Sequence, residues 1–315
     1  MHTITQTDRS TITAVLHTLV KPFRPLLIKP IWTYPAVPKL KPVRKAKSKC
    51  NIHEHTIEGL WICDLTSKEK YHDLKRKKRI YYFAGGGWQM PPSPQHWKLC
   101  AELAVRFPDI IVSVVSYPLA PKSPAPQALP HLLKWFTAAM IRATEAGEEI
   151  TLMGDSAGGN VALSIAILGL QEAQAPKACL RRVVVLSPAV DLSNTNPMQA
   201  QAHKVDPVLT LPFIEKTAKT WAGGMERKDP RISPVYADLS VLVQHDISVI
   251  GVTGGWDVLT PDALVFKERC EKERVKGEWL HWDKQMHCFP LAWVYGLPES
   301  KRAFEWVCEQ LKKGY

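Results

Sequence analysis

From about His53 onward, short runs of consecutive apolar residues alternate with longer stretches in which apolar residues recur every three or four positions. RIYYF, DIIVSVVSY, EEITLMG, RRVVVLSP and ISVIGVTGG are near-continuous apolar runs of strand length, the pattern of strands covered on both faces. HTIEGLWICDL reads as one strand before them and GEWLHWD as one after. Between these runs the period changes. PQHWKLCAELAVRF puts Trp97, Cys100, Leu103 and Ala104 on one side of a helix. Further helices are expected near HLLKWFTAAMIRA, SAGGNVALSIAILGL, TPDALVFKERCEKER and SKRAFEWVCEQLKK. Strands alternating with helices, several of them wholly apolar, predict an α/β domain built on one parallel sheet with helices on both sides. The interval between Pro188 and Ile247 is more polar and more helical, so residues at about 190–240 are expected to form an insertion over the C-terminal edge of the sheet.

The first fifty residues read differently. TITAVLHTLVKPFRPLLIKPIW, residues 11–32, interrupts apolar clusters with Lys21, Arg24 and Lys29. A basic amphipathic segment of this kind either lies on a membrane surface or serves as a lid whose apolar side packs on the body. KLKPVRKAKSK reads as a solvated linker and KEKYHDLKRKKR, residues 68–79, as a charged surface loop. The division expected is a basic N-terminal segment, residues 1–50, contributing to a cap, and a catalytic domain, residues 51–315.

Charge sharpens that division. The net charge is +11, but residues 1–50 hold ten Lys/Arg against the single acid Asp8, so about +9 of it lies there and the body is nearly neutral. A neutral body argues against a nucleic-acid partner. Seven scattered cysteines without C-x-x-C spacing read as reduced thiols. The longest apolar run, VALSIAILGL, falls well short of a membrane span, and Asp8 beside Arg9 argues against a signal peptide. A cytoplasmic location is the expectation.

Chemistry enters with TLMGDSAGGNVAL. Gly154-Asp155-Ser156-Ala157-Gly158 is a G-x-S-x-G between a predicted strand and a predicted helix. There a serine hydroxyl projects from a tight turn, and small neighbours let the backbones pass closely. The bland alternative is a glycine-rich turn with a capping serine. A serine nucleophile needs a base and an orienting acid. VTGGWDVLTPDAL places Asp257 past one strand end and DKQMHCFPLAW places His287 after the last strand, giving the order Ser156, Asp257, His287. The rival acids are Asp262 and Asp283 and the rival base is His281. An earlier strand runs into Gly85-Gly86-Gly87, and acyl transfer needs preorganised N–H donors for its oxyanion. Gly86, Gly87 and the N–H of Ala157 are assigned to it. Trp88 is the candidate substrate-binding residue, and Pro91, Pro92 and Trp97 could share that lining or simply pack.

These stretches resemble the hormone-sensitive-lipase-like group of α/β-hydrolases over roughly residues 55–312. The family's H-G-G-G-[FW] loop is matched by Ala84 to Trp88, and its G-D-S-A-G-G elbow by Gly154 to Gly159. YPLAPKSPAPQAL, LSPAVDLS and RISPVYADL also look like family stretches, and the flavour is close to fungal relatives acting on acylated small metabolites. The resemblance implies an α/β-hydrolase fold with a mostly parallel eight-stranded sheet, a helical cap, and an esterase needing no cofactor and no metal. Its substrate would be a small apolar or aromatic ester, of the kind met in secondary metabolism. An acyltransferase or cyclising enzyme using the same residues, and a non-catalytic binding protein on the same fold, stay open beside it. Three positions depart from the family pattern: Ala84 stands where relatives carry a loop histidine, and Pro118 and Lys122 replace an arginine and a glutamate.

Overall fold

The computed structural model describes residues 1–27, 34–68, 78–172 and 179–313. Nine strands form one sheet: β1 (His2–Gln6), β2 (Cys50–Ile57), β3 (Leu60–Ser67), β4 (Lys78–Phe83), β5 (Ile110–Val115), β6 (Glu149–Asp155), β7 (Leu180–Leu186), β8 (Ser248–Gly254) and β9 (Gly277–Trp282). Their spatial order is β1-β9-β8-β7-β6-β4-β5-β3-β2. Among the described strands, only the β2–β3 and β3–β5 pairs are antiparallel.

Among the described residues the helices are α1 (Thr11–Val20), α2 (Arg24–Leu27), α3 (Arg44–Lys49), α4 (Pro94–Arg106), α5 (Ala125–Ala146), α6 (Ser156–Gln171), α7 (Gln199–Val205), α8 (Leu211–Ala222), α9 (Ser240–Gln244), α10 (Thr260–Lys272) and α11 (Pro298–Lys312). Strand β4 shows why the central strands are apolar throughout. Tyr81 and Phe83 enter the core layer that holds α5 and α6, whereas Ile80 and Tyr82 enter the layer that holds α4 and α11. Helix α6 lies at the centre, and every residue from Ala157 to Leu170 except Leu168 is buried, so it is apolar on all sides.

Three expectations change. The sheet has nine strands, because His2–Gln6 pairs in parallel with β9, His2 opposite Glu278 and Gln6 opposite Trp282. HTIEGLWICDL belongs not to one strand but to the hairpin β2–β3, which turns at Glu58 and Gly59, both at positive φ. KLKPVRKAKSK is not a free linker, since Leu40 and Ala46 are buried and Arg44–Lys49 is helical. Most of the charged loop, residues 69–77, lies outside the described residues, as do residues 28–33 of the N-terminal segment.

The remaining described part of that segment inverts ordinary amphipathicity. Helix α1 buries Thr13 and His17 and exposes Ile12, Val15 and Leu19. The Thr13 hydroxyl donates to Glu299 (2.6 Å), and His17 lies near the Trp256 ring.

Between β7 and β8 the chain runs through α7, α8 and α9. Helix α8 reaches over the rim where the parallel strands end, bringing Phe213, Ile214, Thr217 and Ala218 to a chamber that also touches Ser156. No described helix is long and apolar enough to cross a membrane.

Candidate active site

Four strand ends build the site at one edge of the sheet, as expected for a ligand site in an open α/β sheet. Strand β4 runs into the glycine loop, β6 into Ser156, β8 into the turn that carries Asp257, and β9 into the loop that carries His287. Ser156 has φ +52°, a left-handed conformation that a serine adopts only under constraint from its surroundings. The constraint is the close passage of backbones. A Cβ on Gly158 would stand 2.0 Å from the Phe83 carbonyl oxygen, and one on Gly154 2.4 Å from the Gly158 oxygen. The elbow therefore needs hydrogen at both positions.

Asp257 is fully buried. Its Oδ1 accepts the Leu259 N–H (2.9 Å), and its Oδ2 lies 2.8 Å from His287 Nδ1. A proton on Nδ1 donates to that oxygen, leaving the Nε2 lone pair free. Burial by itself would lower the His287 pKa, but the facing Asp257 charge and this hydrogen bond outweigh it, and the pKa stands above 6.5. Nε2 lies 3.4 Å from Cys288 Sγ. Ser156 and His287 line one cleft, and no hydrogen bond joins them. Such bonds commonly tighten only when substrate binds.

The glycine loop faces the same cleft. Gly86 and Gly87 have φ of +128° and +61°, and neither N–H bonds to a described residue. Ala157 is the second residue of α6, so its N–H has no preceding turn to bond to. A Cβ on Gly85 would stand 2.4 Å from Asp155 Oδ2, which shows what holds the loop. The Gly85 N–H (3.0 Å) and the Tyr82 hydroxyl (2.6 Å) both donate to Asp155 Oδ1. His96 Nε2 lies 3.1 Å from the other oxygen, and the Ser93 N–H donates to His96 Nδ1 (2.8 Å), so the ring proton sits on Nε2 and points at the carboxylate. Burial would raise the Asp155 pKa, but His96, Tyr82 and Gly85 together bring it below the usual value and keep the group ionised. Ala84, in place of the loop histidine, only packs in the core, while its carbonyl accepts the Tyr117 hydroxyl (2.9 Å).

Trp88 is buried, stacks on Trp221 at 5.8 Å and lines the chamber that touches Ser156. Pro91, Pro92 and Trp97 line neither space, and Trp97 is core. The rivals lie elsewhere: Asp262 accepts the Gln199 amide (2.8 Å), Asp283 accepts the Lys284 N–H, and His281 Nδ1 pairs with Thr253.

The sequence reading missed two residues. One is His96, in the first turn of α4, whose partner lies 59 positions away. The other is Asp206, after α7, which accepts N–H groups from Val208 and Leu209 and, through its second oxygen, from Val258 beside Asp257. Burial, with the nearby Asp257 charge, holds its pKa well above the carboxylate range. Neither carries a local pattern that could have marked it.

Two spaces meet at Ser156. The inner chamber offers about 20 Å³, room for one or two atoms the size of water, between Trp88, Ala157, Leu209 and α8. The outer cleft, about 310 Å³, is lined by the glycine loop, Met286, His287, Cys288 and Tyr295. Among the described residues, the one cluster with metal-ligand spacing is His53, His55 and Asp64, on the β2–β3 hairpin away from this site. There the Arg79 guanidinium, 3.0 Å from Asp64, opposes a second cation.

Residues 80–291 match the model of a family described as alpha/beta hydrolase fold. An esterase of Acinetobacter venetianus is 28% identical over 256 residues, 80% of each chain. A hormone-sensitive lipase of Ictidomys tridecemlineatus is 26% identical over 196 residues, 61% of this chain and 25% of that longer one. A crystal structure of a hormone-sensitive lipase from a metagenome library superposes with a TM-score of 0.75 at 22% identity, covering 96% of this chain and 98% of that one.

Proposed function

Because the chain belongs to the alpha/beta hydrolase fold family, we propose that it is a serine carboxylic ester hydrolase working through an acyl-enzyme, with Ser156 as nucleophile, His287 as base and Asp257 as orienting acid. One observation carries this reading. A serine held at positive φ shares a cleft with a histidine whose far nitrogen is bound to a buried carboxylate, opposite a loop with two unbonded N–H groups.

In this mechanism His287 Nε2 takes the Ser156 proton as Oγ adds to the ester carbonyl carbon. The oxyanion accepts hydrogen bonds from the N–H groups of Gly86, Gly87 and Ala157. His287 then delivers the proton to the departing alcohol oxygen as the C–O bond breaks. Water, deprotonated by His287, adds to the acyl carbon of the acyl-enzyme; the acyl–Oγ bond then breaks, His287 returns the proton to Ser156 Oγ, and the carboxylic acid is released. The leaving alcohol has to sit beside its proton donor, which assigns it to the outer cleft with His287. The acyl group then points into the inner chamber, where Trp88 and Phe213 leave room for an acetyl or similarly short group. Among esters, this size restriction favours small acylated compounds over long-chain lipids.

Ser156→Ala is expected to abolish p-nitrophenyl acetate turnover and fluorophosphonate labelling with an unchanged circular dichroism spectrum; retained turnover would refute the assignment. Across p-nitrophenyl esters, kcat/KM should peak at acetyl or propionyl and fall steeply by octanoyl. A maximum at octanoyl would overturn the acyl-side assignment alone.

A further inference from the structure

Two carboxylates buried side by side repel one another, a cost that a neutral side chain in place of one of them would avoid. Asp206 and Asp257 carry that cost. Both are fully buried, and burial together with the Asp257 charge pushes the Asp206 pKa up. The two oxygens of Asp206 serve two different parts of the molecule. Oδ1 accepts the N–H groups of Val208 (2.7 Å) and Leu209 (2.9 Å), in the insertion that walls the site. Oδ2 accepts the N–H of Val258 (2.9 Å), the residue after Asp257. Capping 208–209 alone takes one acceptor oxygen, which an uncharged asparagine would supply. Only a carboxylate accepts on both sides at once.

The turn that carries Asp257 is held from its other end as well. Trp256 donates its N–H to the Gln285 carbonyl (2.9 Å), and its ring lies 4.3 Å from the Arg9 guanidinium and 6.0 Å from the His17 ring. Within the turn, Asp257 Oδ1 accepts the Leu259 N–H, which leaves Oδ2 for His287. A shift of the backbone at 257–259 would therefore move Oδ2 away from His287 Nδ1. The backbone from which Asp206 reaches is itself fixed. Arg24 donates to the carbonyls of His203 (3.2 Å), Asp206 (2.8 Å) and Leu209 (3.3 Å). Leu209 lines both spaces at Ser156, whereas Asp206 lines neither, so any effect of Asp206 on the reaction passes through its neighbours.

We propose that Asp206 is a positioning residue for the orienting acid: its carboxylate ties segment 206–209 to the Val258 N–H and so holds Asp257 at hydrogen-bond distance from His287, with Arg24 fixing the backbone that carries it. The proposal rests on the ester-hydrolase reading.

The test is a double-mutant cycle between Asp206 and Asp257, read as kcat and KM for p-nitrophenyl acetate on the full chain. In Asp206→Asn the single acceptor oxygen serves the two N–H groups of Val208 and Leu209, and the NH2 group faces the Val258 N–H. The wall of the site then stays in place while the acid turn loosens. kcat should fall roughly 10–100-fold with KM little changed. Made in Asp257→Asn, where no acid remains to be held, the same substitution should change the residual kcat by less than about 3-fold. Should Asp206→Asn lose its circular dichroism spectrum, Arg24→Ala takes its place. Its kcat should fall about 3–10-fold in the natural chain and hardly at all in Asp257→Asn. In whichever variant is folded, an unchanged kcat, or equal losses in both backgrounds, would make the residue structural only and overturn the proposal. Retained turnover in Ser156→Ala, measured alongside, would instead mark failure of the ester-hydrolase reading, and this proposal would fall with it.

Discussion

At Ala84 the chain carries a methyl group where its relatives' pattern has an imidazole, and the imidazole is supplied from elsewhere. His96 enters from α4, takes the Ser93 N–H on one nitrogen and offers the other to Asp155, the carboxylate that also anchors the Gly85 N–H. Removing His96 strips a buried carboxylate of one donor, and the glycine loop loses part of its restraint. For His96→Ala, kcat on p-nitrophenyl acetate is expected to fall about 10–100-fold with KM little changed, less than the 10²–10³ for outright loss of an oxyanion donor. His96→Asn, whose amide can still donate, should recover part of it. Equal kcat in all three proteins would remove His96 from the mechanism. The pH dependence follows from His287. As the proposed base, His287 works when neutral, and Asp257 holds its pKa above 6.5, so the rising limb of kcat/KM against pH should lie above 6.5. Asp257→Asn, which withdraws that charge, should move the limb downward in the residual activity.

At the scale of elements, the buried strands and amphipathic helices were legible because their periods differ and few residues in them face water. The β2–β3 hairpin was not, since Glu58-Gly59 lacks the Asn-Gly or Asp-Gly signal of a tight turn, and its two strands read as a single apolar run. Helix α1 was misleading for the opposite reason. Its apolar side is easy to find, but only the contacts of Thr13 and His17 tell which side faces inward. His17 is 2% exposed, and its nitrogens have no hydrogen-bond partner among the described residues. Burial, reinforced by Arg9 and opposed by Glu299, lowers its pKa to about 4. Between about 4 and 6.5 the undocked helix binds more protons than the docked one, so docking is full above pH 6.5 and weakens as pH falls toward 4. Hydrogen exchange of residues 11–20 should therefore speed up from pH 7 to 5, after correction for intrinsic rates, more than exchange in α6. His17→Leu should flatten that difference, and an unchanged difference would exclude His17 as its source.

For the whole molecule, sheet class, helix layering and the strand ends that converge on Ser156 could be read in advance, because each leaves a local trace: an apolar run, a glycine pair, a carboxylate just past a strand. Long-range partners leave none. His96 with Asp155, Asp206 with the Val258 N–H, and Arg24 with the carbonyls of segment 203–209 are matches between distant residues that no window on the chain contains. The strand β1 belongs with them. HTITQ is an unremarkable alternation, and only the uncovered edge of β9 makes it a strand. Deleting residues 1–8 should expose that edge. Light scattering is expected to show concentration-dependent association of the shortened chain with retained p-nitrophenyl acetate turnover, as for any unprotected sheet edge.

The β1–β9 pairing also sets an order of events during synthesis. His2 lies 276 residues ahead of its partner Glu278. At ~5–20 residues per second, the ribosome exposes β1 roughly 15–55 seconds before its place in the sheet exists. Throughout that interval β1 lacks its partner strand, while the central strands can already pair. Closure of this sheet edge therefore waits until β9 has been made, long after the central strands can pair.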